Sequence, residues 1–171
     1  QLIANAVARV SAPQAREALE WQGMAMFTEQ LVQRDDSRLQ SVYSHFETNL
    51  IDTIGLLRSK GIHVLLATVP VNLRDQAPFA STQNRPLQSH DQLEWQAAIQ
   101  RGAKAQVESD WQLAEIAYRE ALALSPDYAE THFQLARVFE AQDRFDEAKG
   151  HYRLARDLDA LRFRADSTIN Q

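Results

Sequence analysis

The run Asn72-Leu73-Arg74-Asp75 closes a continuous apolar stretch. An Asn amide can donate to a substrate oxygen, and an Arg guanidinium can hold a carboxylate or phosphate in a two-pronged fork. Asn72, Arg74 and Asp75 are therefore the candidate ligand-binding residues. A blander reading stands beside this one: Arg74 and Asp75 pair locally and Asn72 caps a turn. A second polar cluster, Arg162, Arg164 and Asp166, either docks the helical second half of the chain onto the sheet expected in the first half or is solvated. The five histidines are His45, His63, His90, His132 and His151. They show no metal-ligand spacing on one helix, so no metal site is expected. There is no Gly-rich phosphate loop and no Gly-x-Ser-x-Gly elbow, so no cofactor and no catalytic residue is assigned. The chain has no cysteine, which excludes thiolate chemistry and disulfides.

The elements that must position these groups divide the chain at about residue 91. Ala15, Leu19, Met26 and Leu31 suggest an early helix, with Trp21, Met24 and Phe27 as core. From Ser41 to Lys60 the residues Val42, Tyr43, Phe46, Leu50, Ile54 and Leu57 recur every three or four positions and give one apolar face. Gly61 follows where a left-handed residue commonly ends a helix. Residues 63–71 then run without polar alternation, the habit of a parallel strand buried on both faces. Helix, Gly and strand together form the second half of a βαβ unit. The loop 72–91 sits at the strand's C-terminal end, where open α/β sheets bind ligands.

From residue 92 the chain reads as helix, and a shift of 34 residues aligns it with itself. Trp95–Tyr128 falls on Ala129–Arg162. Ala114 meets Ala148, Tyr118 meets Tyr152, Ala121 meets Ala155, Leu124 meets Leu158, and Trp111 meets Phe145. Gly102 and Ala136 are small where antiparallel helices would cross, and Ser125-Pro126-Asp127 reads as a helix start. The period and these positions resemble a pair of tetratricopeptide repeats, 95–128 and 129–162. Ala160 stands where that family places Pro. The resemblance implies a concave, protein-binding face built from the first helix of each repeat. On it lie Gln96, Ile99, Ala103 and Gln106, then Glu130, Phe133, Arg137 and Glu140. Phe133 and Arg137 are favoured for peptide contact, since aromatic residues and Arg dominate hot spots. Packing against the rest of the protein is the competing use.

The whole run, "SVYSHFETNLIDTIGLLRSKGIHVLLATVPVNLRDQAPFAS", then the repeats, then "LARDLDALRFRADSTIN", resembles an interior stretch of bacterial GDSL/SGNH-type hydrolases that carry tetratricopeptide repeats. The fold expected is mainly α. A repeat pair (92–162) is attached to a helix and one parallel strand of a flavodoxin-like α/β domain (1–91), with 163–171 returning toward that domain. The resemblance implies a Gly-Asp-Ser block, an oxyanion-hole Gly and Asn, and an Asp-x-x-His block, none of which occurs in this chain. Ala165-Asp166-Ser167 lacks the Gly and the preceding strand. The partner strands are expected outside the 171 residues.

Acidic and basic residues are mixed along the chain at a net charge of −5, which argues against a nucleic-acid partner. No apolar run reaches the roughly 18 residues of a membrane span. No signal peptide is visible, which favours the cytoplasm, although the start at Gln1 reads as a truncated N-terminus. The expected partners are a protein or peptide at the repeats, or the hydrolase body itself. Two functions follow: an interaction module without catalysis in this chain, or part of a serine ester hydrolase or acyltransferase whose catalytic blocks lie elsewhere. The chain alone is expected to turn over a short acyl ester no faster than buffer. Turnover abolished by Ser167→Ala would instead make Ser167 a nucleophile.

Overall fold

Local chemistry bounds the first helix of the computed structural model, which describes Phe27 and residues 30–171. Helix α1 (Ser37–Ser59) begins where the Asp36 carboxylate accepts the Arg38 N–H at 2.9 Å. An acid at this end answers the unpaired N–H groups and the positive pole of the helix. Gly61 ends it, with φ 73°. The Gly61 N–H reaches the Arg58 carbonyl at 3.0 Å and the Ile62 N–H reaches the Leu57 carbonyl at 3.1 Å. This double closure needs a left-handed residue, which glycine adopts without a Cβ penalty.

The strand expected over residues 63–71 is not formed, and no strand occurs among the described residues. A strand is held by a hydrogen-bonded neighbour, and no neighbouring strand is described. Its side chains stand open instead: Leu65 is 94% exposed and Leu66 59%. Val42, Phe46, Ile51 and Leu56 of α1 are exposed with them. At Val69 the Asn170 side chain does a strand's work, accepting the Val69 N–H at 2.8 Å and donating to its carbonyl at 3.1 Å. The early helix expected from Ala15 falls almost wholly outside the described residues.

The described protein is mainly helical, and four helices form two hairpins. The first pairs α2 (Ser89–Val107) with α3 (Trp111–Leu124); the second pairs α4 (Ala129–Ala141) with α5 (Phe145–Asp157). Positions 34 apart play the same parts. Ser109 and Asp143 both take φ 60° in the turns between paired helices. The Asp110 N–H bonds the Ala105 carbonyl, and the Arg144 N–H bonds the Phe139 carbonyl, each at 2.9 Å. Across each hairpin a buried tyrosine spans to the opposite helix: Tyr118 Oη donates to Gln106 at 2.9 Å, and Tyr152 Oη to Glu140 at 2.8 Å. Gly102 is required by that arrangement, since a Cβ there would lie 2.7 Å from the Tyr118 ring. Ala114, Ala121, Ala148 and Ala155 are buried along the second helices, which allows the close approach. Ser125-Pro126-Asp127 does not start α4. Ser125 closes α3 by bonding the Ala121 carbonyl, and the N-terminus of α4 receives its cap from the loop, where Ser81 Oγ accepts the Glu130 N–H at 2.9 Å.

Past α5 the chain folds back as a clasp. Asp159 is 2% exposed and accepts four donors. These are the Phe79 N–H (2.9 Å), the Ala80 N–H (3.1 Å), the Leu161 N–H (3.1 Å) and the Arg164 guanidinium (2.9 Å). Arg164 also donates to the Gln76 carbonyl at 2.8 Å, and Arg162 to the Val32 carbonyl at 3.1 Å. Tyr43 of α1 donates to Asp166. The polar cluster seen in the sequence thus anchors three stretches of chain.

Replacing Ala121 or Ala148 by Leu adds three carbons to a closed helix contact, and overpacking of this kind costs about 1–3 kcal/mol. Gln112→Leu, on an exposed position of α3, is expected to be nearly neutral because the two residues have similar helix propensity. Thermal midpoints of the three variants test this. Equal midpoints would mean that these alanines do not hold the hairpins together.

Candidate functional site

A groove of about 520 Å³ runs between α2 and α4, the first helices of the two hairpins. Ile99, Ala103 and Val107 make its apolar side with Trp111; Gln106, Glu130, Gln134 and Arg137 supply polar groups. Tyr118 lies at its base, and burial, followed by the charge of Glu130, pushes its hydroxyl up to about 12. It therefore stays a neutral donor to Gln106. Gln134 Nε2 donates to the Glu130 carboxylate at 2.6 Å. Arg137 is exposed and makes no ion pair with any described residue.

A second cleft of about 410 Å³ adjoins the first, and Arg137 lines both. Here Phe133, Glu140 and Tyr152 face Arg74, Asp75 and Ala77 of the loop. Arg74 Nε pairs with Glu140 at 2.5 Å, while Leu73 and Ala77 pack against the hairpin core. Asn72 Oδ1 accepts the Asp75 N–H at 3.0 Å, so Asn72 caps a turn. Two residue sets that the sequence reading kept apart are thus brought together: the loop residues 72–75 lie on the face of the second hairpin. Of the concave-face candidates, Ile99, Gln106, Glu130 and Arg137 line the open groove. Phe133, Arg137 and Glu140 line the filled cleft, and Gln96 is exposed and lines neither. Trp111, Gln134 and the phenol links of Tyr118 and Tyr152 were missed. The equal spacing from Tyr118 to Gln106 and from Tyr152 to Glu140 was the signal available.

Ser167 has a structural role. Its Oγ donates to Asp157 at 2.7 Å and accepts from Arg156 at 2.5 Å. No histidine serves it as a base among these contacts. His90, Asp91 and Glu94 gather on the exposed first turn of α2, with His90 3.8 and 3.6 Å from the two carboxylates. The sequence reading passed over this triplet. Among the described residues no buried second partner fixes the ring, as one usually does for metal-binding histidines.

His132 and His151 form a stacked pair between α4 and α5, with Nδ1 to Nδ1 at 2.9 Å. His132 Nε2 faces the Pro126 carbonyl at 2.8 Å, which can only accept. The His132 proton therefore sits on Nε2, and His151 Nδ1 donates to the bare His132 Nδ1. Burial, then the neighbouring His132 and Arg119, holds His151 down at about 4, against the pull of Glu147. Burial also lowers His132, opposed by the Pro126 carbonyl and Asp127.

Comparison with known proteins finds no matching family model, no matching curated protein and no matching solved structure. Among the described residues no helix is long and apolar enough to cross a membrane.

Both imidazoles are harder to protonate folded than unfolded. Their contribution is complete above the ordinary histidine value of about 6.5 and is lost as the pH falls toward about 4. The thermal midpoint is expected to fall across that window, and less steeply in His151→Gln, whose amide can still donate to His132. Equal slopes in both proteins would exclude the pair as the source.

Proposed function

We propose that this chain is a tetratricopeptide-type protein-interaction module set on part of an SGNH/GDSL-type α/β hydrolase fold, and that it binds rather than catalyses. The observation carrying this reading is the open groove between α2 and α4. It combines an apolar wall with the Gln106 amide and the Arg137 cation, which has no ion-pair partner among the described residues, the composition of a surface that holds a peptide by few anchors. The companion cleft supports it, because an irregular stretch of this chain already occupies that surface.

The attachment to an α/β sheet rests on α1 and residues 62–69. Together they expose Val42, Phe46, Ile51, Leu56, Ile62, Leu65, Leu66 and Val69. Val42, Phe46 and Leu56 fall on one side of α1, and apolar surface left open on that side marks an interaction face. A parallel sheet would bury both sides of the 63–71 stretch and one side of α1. The second reading, a hydrolase or acyltransferase completed by residues outside this chain, draws on the same face.

Trp111 gives the groove a fluorescent reporter. Titrating a panel of extended peptides into the chain is expected to shift tryptophan emission saturably for a subset. Ile99→Asp should abolish that shift with the circular-dichroism melt retained. A flat response to every peptide would leave the hairpins as a brace. In the same sample, amides of residues 64–68 are expected to exchange fast, since no described strand protects them, whereas the Val69 N–H is held by Asn170; slow exchange over 64–68 would count against an unpaired sheet segment.

A further inference from the structure

The two clefts are the same surface seen twice. Phe133, Arg137, Glu140 and Tyr152 line the filled one, and each has its counterpart 34 residues earlier in the open one: Ile99, Ala103, Gln106 and Tyr118. The chain therefore contains a worked example of what this surface accepts. In the second hairpin the occupant is the segment Leu73–Ala77, which lays Leu73 and Ala77 on the core and pairs Arg74 with Glu140. Glu140 divides its oxygens: Oε2 accepts from Tyr152 and Oε1 takes the Arg74 cation.

The first hairpin repeats this arrangement with one change of chemistry. Gln106 Oε1 is taken by Tyr118, as Glu140 Oε2 is by Tyr152. What remains at position 106 is an amide N–H₂, a donor, where position 140 offers an anionic acceptor. Arg137, also a donor, lines the same groove and has no ion-pair partner among the described residues. Glu130, the groove's own acid, is engaged by Gln134.

We infer that the open groove binds an extended peptide carrying an apolar residue followed by an acidic one, the charge-inverted counterpart of the Leu73-Arg74 pair that fills the second hairpin. This inference rests on the peptide-binding reading and adds the chemistry of the peptide. The apolar side chain lies against Ile99 and Ala103, and the carboxylate meets the Gln106 amide and the Arg137 guanidinium. Position 106 sets the sign: an amide there selects an acceptor, and a carboxylate would select a cation.

The test uses the full chain and three synthetic peptides with the sequence of residues 71–78, carrying Arg, Gln or Glu at the position of Arg74. Binding is read from the change in tryptophan emission at fixed ionic strength; of the chain's three tryptophans, Trp111 lines the groove. The expected order for the unaltered chain is Glu tightest and Arg weakest, with a spread of about tenfold, the factor that 1.4 kcal/mol represents. Gln106→Glu is expected to reverse the order. That substitution retains a partner for Tyr118, because Glu140 already accepts from Tyr152 in this way. Arg137→Gln should erase the preference for Glu without abolishing binding. Binding of the three peptides with equal affinity, or an order that Gln106→Glu leaves unchanged, overturns the inference and leaves peptide binding standing. No binding by any of the three, while other extended peptides do bind, overturns it too. No binding by any peptide overturns both readings.

Discussion

A carboxylate can be buried only where donors replace the water it gives up, and the arrangement of this chain turns on one that is so treated. Asp159 lies at the exit of the last helix with all four of its hydrogen bonds made inside the protein. Hydrogen bonds to a charged group contribute about 1.5–3 kcal/mol each, and an orphaned buried partner costs at least as much. Two of the donors are successive N–H groups of the loop, from Phe79 and Ala80. That contact fixes the loop's path, so that Ser81 arrives at the N-terminus of α4 and Leu73–Ala77 arrives on the face of the second hairpin. A third donor, Arg164, holds the same loop at the Gln76 carbonyl. The occupancy of one peptide-sized cleft is thus governed from the opposite end of the hairpin.

The hairpins themselves rest on a different physical basis. Their interior is built from alanines that let helices approach and from two tyrosines whose rings fill the space left. The tyrosine hydroxyls then reach the groove side, where their partners, Gln106 and Glu140, differ in charge between the two hairpins. The ring packs the hairpin while the hydroxyl holds a residue that lines the groove. The two surfaces thereby keep one shape while one presents an amide and the other a carboxylate.

Much of the helical half was legible because its signals are local or periodic. The 34-residue offset places Trp111 and Phe145 at the starts of α3 and α5, and Gly61 ends α1 by a backbone conformation that its residue type favours. What was not legible depends on distant chain. The Ser125-Pro126-Asp127 run has the composition of a helix start, but the donor at α4 is satisfied by Ser81, and no local pattern announces a cap from so far away. The apolar run at 63–71 has the composition of a strand, but composition cannot supply a neighbour. The loop residues 72–75 were recognised as polar chemistry, and their destination against Glu140 depends on the Asp159 contacts at the far end of the chain.

Two hairpins are fewer than such stacks usually need to bury their ends, and the two edges here are handled differently. In the second hairpin Leu135 is buried at 1% exposure; its counterpart in the first is Arg101, which turns to pair with Glu120 across α2 and α3. A charged pair at that position leaves a polar edge on the first hairpin where the second buries a leucine. At the other edge Ala160, fully buried, uses both of its main-chain groups: its N–H bonds the Ala80 carbonyl and its carbonyl accepts the Val32 N–H, each at 2.9 Å. A proline there would remove the first of these bonds. Position 160 therefore needs a residue with a main-chain N–H, because that donor holds the loop to the exit of α5.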